Sequence, residues 1–285
     1  MPRNNTRRTG STSKKETAEA APTPPTSVLD FVNPTEHVTL PSGGRFYDED
    51  HPLHGQETVE IRFMTAKDED ILTSQSLLRS GTALEKFMQN ILVDKRVKPA
   101  SLLVGDRSAI LIAARATGYG KDYRTTITCP ACGESSKVSF DVTEFQTHEG
   151  SKEEQEELGV KVTADNTYTV KLPLTTVTAE FRLLTGTDES AITKTLQQKK
   201  NKKNFDGSVS TQFSRAIVAL NTETDRSIIQ QFALMMPAQD ARHLRAALKS
   251  VTPTVDLTQN YECPSCGHGQ EMEVPLTADF FWPDR

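Results

Sequence analysis

The four cysteines are the residues of this chain whose type and spacing point most directly to chemistry. They occur in two near-identical motifs, Cys-Pro-Ala-Cys-Gly at 129–133 and Cys-Pro-Ser-Cys-Gly at 263–267. Two intervening residues let both thiolates of a pair bind one ion, and the glycine that follows permits a turn with positive φ. Each motif therefore predicts half of a tetrahedral metal site with the ligands Cys129, Cys132, Cys263 and Cys266.

Zinc is the metal that this ligand set favours. Four thiolates fill a tetrahedral shell and leave no position for a reacting water, so we predict one structural zinc ion per chain. An iron-sulfur cluster is a less favoured alternative, and two disulfides or four unrelated free thiols also remain open. His268 follows the second motif, but the four cysteines already complete the set, so we place it outside the ligands.

Both motifs lie between segments that alternate in hydrophobicity, which predicts a β-hairpin under each one. Two such hairpins that face each other would make a zinc ribbon. A compact ribbon separates its cysteine pairs by about 15–20 residues. Here residues 133–262 lie between Cys132 and Cys263. We therefore predict a split ribbon with a large insertion, in which the metal closes a long loop and acts mechanically.

The other elements follow from periodicity and capping signals. A strand over 59–64 leads to a helix that Thr65 caps and Gly81 ends, and Thr82 and Glu85 predict a capping box for an amphipathic helix. Asp106 is the predicted cap of a third helix, which ends at Gly118. Further elements are predicted as two strands at 167–172 and 177–184 and three helices at about 188–199, 225–235 and 237–250.

The predicted fold class is α+β, in mixed segments joined by the split four-cysteine ribbon. Residues 1–27 are polar with several basic side chains, which predicts a disordered arm. We expect an N-terminal α+β domain with the first knuckle at 28–149, an inserted strand-and-helix domain at 150–256, and the second knuckle with an aromatic C-terminal tail at 257–285.

Composition limits the partners. The chain has 285 residues, 35% of them hydrophobic, with a mean hydropathy of -0.50. These values predict a soluble globular protein, and the longest apolar run, at 109–114, is too short to cross a bilayer. The net charge of -5 offers no general attraction to nucleic acid.

No residue pattern points to catalysis. The chain lacks the common nucleophile, phosphate-loop, dinucleotide and zinc-protease motifs. His51 and His54 fit a structural loop better than a metal site, and the macrodipole of the following helix accounts for Asp68, Glu69 and Asp70. We therefore expect a protein that is not an enzyme.

Three N-terminal segments carry a family resemblance: Leu-Pro-Ser-Gly-Gly-Arg-Phe-Tyr at 40–47, His-Pro-Leu-His-Gly at 51–55, and the strand with the start of its helix at 59–72. They resemble the N-terminal segment of baseplate hub proteins of T4-like phages, and the resemblance extends from about Val28 to the C-terminus. It implies a structural component or assembly factor of a contractile-tail hub that acts by protein-protein interaction. The implied partners are other hub, wedge, spike or tail-tube proteins, in multiple copies around the tail axis. The implied location is the virion, after assembly in the host cytoplasm.

A zinc-ribbon nucleic-acid-binding protein is the alternative hypothesis. It requires a basic surface around the ribbon. Near the knuckles, Lys121 and Lys137 are offset by four acidic residues, namely Glu134, Glu262, Glu271 and Glu273. The charge pattern therefore favours protein partners.

Overall fold

Helices and antiparallel strand pairs alternate along the chain in an α+β arrangement, as predicted. The computed structural model describes residues 33–164, 166–201, 208–273 and Phe280. The predicted N-terminal arm lies outside these residues. The helices are α1 Ala66–Thr73, α2 Gln75–Ser80, α3 Ala83–Ile91, α4 Val104–Tyr119, α5 Lys152–Leu158, α6 Gly186–Asn201, α7 Ser208–Ala216, α8 Arg226–Met235 and α9 Ala238–Val251.

The strands pair into five small sheets in the described part of the chain. Four sheets have two strands each (β1 with β2, β3 with β4, β5 with β10, β11 with β12), and one has four strands in the order β6-β7-β8-β9. The strands are β1 Thr35–Thr39, β2 Thr58–Arg62, β3 Asp122–Thr128, β4 Ser135–Asp141, β5 Gln146–His148, β6 Lys161–Val162, β7 Tyr168–Lys171, β8 Thr178–Phe181, β9 Ile217–Leu220, β10 Thr254–Asp256, β11 Thr258–Glu262 and β12 Gly269–Glu273.

The helix predicted between Thr65 and Gly81 is present but breaks in two. Thr65 precedes α1, where its N–H and hydroxyl donate to the Asp68 carboxylate at 2.9 and 2.7 Å. Ser74 adopts an extended backbone between α1 and α2, and Gly81 ends α2 with φ 69°. A left-handed backbone is accessible to glycine at little cost, so the predicted end is confirmed.

The amphipathic helix after Thr82 is confirmed as α3. Phe87, Met88 and Ile91 are fully buried, whereas Leu84, which we placed on the same face, is 41% exposed. Thr82 precedes the helix but makes no capping hydrogen bond through its side chain. The apolar stripe rather than a capping box therefore accounts for this helix.

The third helix does not begin at Asp106, so the predicted cap is wrong. α4 starts at Val104, and Asp106 lies within its first turn, fully buried. Its carboxylate accepts hydrogen bonds from the Ser42 N–H and hydroxyl at 3.0 and 2.6 Å and from the Tyr47 hydroxyl at 2.6 Å. Asp106 thus holds a distant loop against the helix.

The predicted strand pair β7 and β8 and the predicted helices α6, α8 and α9 are confirmed. We predicted no element for α7 and β9, which lie between α6 and α8. Phe213 and Ala216 of α7 are buried, and β9 completes the four-stranded sheet by pairing with β8. The division into an N-terminal and an inserted domain stays a prediction.

Residues from both cysteine hairpins belong to the buried hydrophobic core. Tyr123 and Ile127 of β3 contribute to it, and so does Tyr261 of β11. Phe280 of the C-terminal aromatic tail is also buried and packs edge-on against Tyr123, with 5.1 Å between ring centroids. Among the described residues, no helix has the length and apolar character needed to cross a membrane.

Candidate metal centre

Each cysteine pair lies at the tip of an antiparallel hairpin, as predicted. Cys129 and Cys132 follow β3, which pairs with β4 from Asp122 opposite Asp141 to Thr128 opposite Ser135. Cys263 and Cys266 follow β11, which pairs with β12. Alternate residues of β3 and β11 are buried, as the alternating hydrophobicity predicted. The buried face of each hairpin fixes the direction in which its tip points.

The two tips meet and bring the four sulfur atoms together. All four ligand atoms lie within 4.8 Å of one another. The sulfur of Cys129 lies 3.8 Å from that of Cys266, and the sulfur of Cys132 lies 3.8 Å from that of Cys263. These short contacts join cysteines of different hairpins, so the arrangement is one cluster rather than two separate pairs.

The spacing fits a single ion. A metal-sulfur bond of about 2.3 Å in a regular tetrahedron places the sulfur atoms about 3.8 Å apart. A disulfide requires about 2.05 Å between its sulfurs, and the four cysteines are free. Several iron atoms in one cluster would hold sulfurs on different irons farther apart. The four cysteines could therefore bind one metal ion.

The backbone of each tip makes the same hydrogen bonds. The N–H of Cys129 donates to the Glu134 carbonyl, and the N–H of Gly133 donates to the Cys129 carbonyl, both at 2.9 Å. In the second tip the N–H of Cys263 donates to the His268 carbonyl and the N–H of Gly267 to the Cys263 carbonyl, again at 2.9 Å. Gly133 has φ 74° and Gly267 φ 68°, so each glycine provides the predicted left-handed turn.

One thiol of each pair is buried and the other faces solvent. Cys129 and Cys263 are 1% and 2% exposed, whereas Cys132 and Cys266 are exposed. The buried members anchor the cluster in the core, and the exposed members leave it accessible to an entering ion.

The electrostatics of the cluster favour a cation. The backbone N–H of Cys266 donates to the Cys263 sulfur, and with the N–H of Ser265 it outweighs desolvation and lowers the pKa of Cys263 to about 6. The N–H of His268 acts in the same direction on Cys266, but contact with the Cys132 thiol, burial and the other two thiols raise the pKa of Cys266 to about 12. Four adjacent thiolates repel one another, so they ionise together only around a positive ion.

The other candidate residues do not form a second site. The His51 ring contacts the Ser101 hydroxyl at 2.8 Å and accepts from the Leu53 N–H, while the His54 ring contacts the Tyr47 carbonyl at 2.7 Å. Both rings thus hold the loop in place.

Asp68 does more than the macrodipole interpretation implies. It is fully buried and accepts two hydrogen bonds from the Arg62 guanidinium, at 2.7 and 2.9 Å. Burial alone would raise the pKa of Asp68, but the hydrogen bonds from Arg62, Thr65 and Asn90 outweigh it and hold the pKa below its ordinary value. The sequence signal for this contact is an arginine six positions before a helical aspartate.

Fold and site together define an α+β protein with a four-cysteine cluster that could hold one metal ion. The chain matches the family model described as T4 bacteriophage base plate protein over residues 33–282. The match covers most of the chain, so the protein belongs to this family, and the resemblance of its N-terminal segments to T4-like baseplate proteins is confirmed. No curated protein and no solved structure matches the chain.

Family membership supports a structural role in a phage baseplate. It implies a location in the virion tail and contacts with other baseplate or tail proteins.

Proposed function

We propose that the protein is a structural component or assembly factor of the baseplate hub of a contractile phage tail, without enzymatic activity. It acts by binding other hub, wedge, spike or tail-tube proteins, in multiple copies around the tail axis. Its locations are the virion tail baseplate and, during assembly, the host cytoplasm. The family match carries the baseplate part of this proposal.

A structural zinc ion holds the two hairpins together as a split zinc ribbon. The observation that supports it is the close grouping of the four sulfur atoms, which all lie within 4.8 Å of one another, with 3.8 Å for two contacts between different hairpins. Four thiolates fill the shell, so the ion has no open position for a substrate or a reacting water. Zinc suits four thiolates in a tetrahedron, as does iron, and metal analysis distinguishes them.

The surroundings of the cluster do not favour the nucleic-acid alternative. Lys121 pairs with Asp141 at 3.0 Å between nitrogen and oxygen, which neutralises one of the two nearby lysines. Glu134 and Glu262 are exposed beside the tips. A phosphate backbone would meet little positive charge there.

The metal assignment is tested by elemental mass spectrometry of the purified chain and two variants. We expect about one zinc per chain in the unaltered protein, and loss of the metal in Cys263→Ser, because a serine hydroxyl is a poor substitute for a thiolate. His268→Ala is the matched control, since His268 contributes a backbone carbonyl to the same tip. It should keep the metal. Iron in place of zinc, or equal metal content in both variants, would contradict the assignment.

The hub role is tested by disrupting the coding sequence in the phage. Particles that lack the protein should show tails without a complete baseplate in electron micrographs, and expression of the full chain in the host should restore it. Normal baseplates without the protein would refute a required role in the hub.

A further inference from the structure

Several of the elements that lead to the two cysteine hairpins occur twice, in the same order and with matching hydrogen bonds. We propose that residues 35–142 and 168–273 are two copies of one structural unit, each folded around its own buried aspartate. The four-cysteine cluster lies where equivalent hairpins of the two copies meet. An ion at this junction rests on the proposed function, whereas the duplication does not require one.

The first correspondence is the opening hairpin. β1 pairs with β2 so that Val38 lies opposite Val59, and β7 pairs with β8 so that Val170 lies opposite Ala179. In both, a leucine after the first strand donates its N–H to a carbonyl just before the second. These bonds are Leu40 to Glu57 at 2.8 Å and Leu172 to Val177 at 2.9 Å. A proline follows each leucine.

The second correspondence is an arginine-threonine-aspartate cluster at the end of that hairpin. In each copy the arginine binds an aspartate six positions later through both terminal nitrogens and also donates to the carbonyl of the next residue. The threonine midway between them donates its N–H and hydroxyl to the same carboxylate. The members are Arg62, Thr65 and Asp68 in one copy and Arg182, Thr185 and Asp188 in the other.

The third correspondence is a helix with a buried phenylalanine, after which the chain runs along the second strand of the opening hairpin. Phe87 of α3 and Phe213 of α7 are both buried, and each is followed four positions later by a fully buried isoleucine. The chain then runs beside β2 in the first copy, where the Val93 N–H donates to the Glu60 carbonyl. In the second copy Ala219 lies opposite Glu180 of β8.

The fourth correspondence is the buried aspartate. Asp106 of α4 accepts from the N–H of Ser42 at 3.0 Å, and Asp240 of α9 accepts from the N–H of Leu174 at 2.8 Å. Ser42 and Leu174 each follow the proline of their hairpin. A hydroxyl completes each contact: that of Ser42 donates to Asp106 at 2.6 Å and that of Thr175 to Asp240 at 2.7 Å.

The spacing from aspartate to cysteine is the same in both copies. Cys129 lies 23 positions after Asp106, and Cys263 lies 23 positions after Asp240. Within this interval, three equivalent pairs of large side chains are buried in both copies. The pairs are Ile110 and Leu244, Tyr123 and Leu257, and Ile127 and Tyr261.

The cluster itself has the symmetry that two copies require. Exchanging the copies turns the Cys129–Cys266 contact into the Cys263–Cys132 contact, and both distances are 3.8 Å. The buried cysteine of one copy is thus close to the exposed cysteine of the other. A pseudo-twofold axis through the cluster accounts for this pattern.

Duplication explains the wide separation of the motifs without an unrelated inserted domain. The residues between the knuckles are the end of the first copy, a connection that contains α5, and most of the second copy. The copies differ in loop length, since residues 41–56 connect β1 to β2 after Leu40, against residues 173–176 in the second copy. The loop at 51–55 is therefore particular to the first copy. The copies also differ in helices, since α8 has no counterpart in the first copy and α6 stands where the first copy has α1 and α2.

Hydrogen exchange of the full chain with its metal bound, measured by mass spectrometry in mild urea, tests the proposal. Asp240→Asn places an amide group against the donors of Leu174 and Thr175 and should destabilise the second copy. We expect exchange at least about tenfold faster across β7, β8, α9 and also β11 and β12, with β1, β2 and α3 little changed. Asp106→Asn should give the reverse pattern.

The hairpin of β11 and β12 decides between the two models. If an unrelated domain were inserted into a ribbon, Asp240→Asn would accelerate exchange up to α9 but leave β11 and β12 as protected as β3 and β4. That result, or a uniform loss of protection over the whole chain, would overturn the proposal. Thr175→Val removes one hydrogen bond to Asp240, and Ser42→Ala removes the bond to Asp106 together with the one that the Ser42 hydroxyl accepts from the Gly44 N–H. Both serve where the aspartate variants do not fold. The exchange is repeated with a chelator present. The duplication predicts the same division of exchange rates between the two copies without metal, so a failure of the metal assignment does not by itself contradict the duplication.

Discussion

Asp68 and Asp188 occupy the same place in the two halves of the molecule but have different surroundings. Each accepts from a threonine and from an arginine, which is the last residue of β2 in one half and directly follows β8 in the other. Asp68 also accepts from the Asn90 amide at 2.6 Å, whereas Arg182 and Thr185 are the partners described for Asp188. The N-terminal half thus buries more polar contacts for the same turn.

The same difference appears beside the cysteine hairpins. Arg115 of α4 is fully buried and donates to the carbonyls of Phe280, Gly120 and Asp122 at 2.8, 2.7 and 3.0 Å. Lys249 occupies the equivalent position in α9, where it is exposed. Buried polar contacts specify a geometry but leave unsatisfied groups when one member is lost, so the N-terminal half should be the more sensitive to substitution.

The largest effect is expected from Arg115→Leu. It removes charged donors from three carbonyls near the start of β3, and leucine recovers only part of the packing. We expect a loss of about 4 kcal/mol in the free energy of unfolding, measured by urea denaturation. Lys249→Leu is the matched control and should change stability by less than about 0.5 kcal/mol. Equal losses in both variants would contradict the asymmetry.

The cysteine hairpins and Asp106 differ in how well the sequence alone predicts them. The cysteine hairpins were predictable because the motif spacing and the period of two are local patterns. The role of Asp106 was not, since its partners Ser42 and Tyr47 lie 64 and 59 positions earlier in the chain. An aspartate near a helix start fits a cap equally well until the tertiary contact is known.

The arginine-aspartate pairs were partly predictable from the sequence. Arg62 and Asp68 are six positions apart, and the arrangement recurs at Arg182 and Asp188, so the repeat was present in the sequence. The cysteine motifs show the repeat most directly, because four of their five residues are identical. The other correspondences conserve contacts and burial more than residue type, and those become visible only in the structure.

The next effect is the difference between Asp68→Asn and Asp188→Asn. An asparagine keeps one acceptor oxygen but places an NH₂ group against the donors of the arginine and threonine. We expect a loss of about 3 kcal/mol for Asp68→Asn and about 2 kcal/mol for Asp188→Asn, because Asp68 has one more donor to satisfy. Urea midpoints at neutral pH measure both. A larger loss for Asp188→Asn would reverse the comparison.

Acid should weaken both turns by less than these substitutions, since a protonated carboxyl keeps both oxygens. Burial opposes ionisation of Asp188, but hydrogen bonds from Arg182 and Thr185 outweigh it, so its pKa lies below the ordinary 3.8, as does that of Asp68. A depressed folded pKa contributes stability above the unfolded value, and that contribution is lost as the pH falls through the folded pKa.

Urea midpoints between about pH 6 and about pH 3 should therefore fall toward acid, with the steepest loss below about pH 4. Each Asn variant should show a shallower fall than the unaltered chain, since one of the carboxylates no longer titrates. A profile that the two variants leave unchanged would show that other groups control acid stability.

The smallest effect probes the equivalence of the two hairpin tips. Gly133 and Gly267 have φ of 74° and 68°, and a Cβ at either position would meet no atom within 4 Å. Alanine there carries only the backbone cost of a left-handed residue, about 1 kcal/mol, and it should be the same at both tips. Gly269→Ala is the control, because Gly269 has the same open space without a positive φ. Urea midpoints of the three variants measure these losses. Unequal losses for Gly133→Ala and Gly267→Ala would show that the two tips are not equivalent, although their backbone hydrogen bonds match.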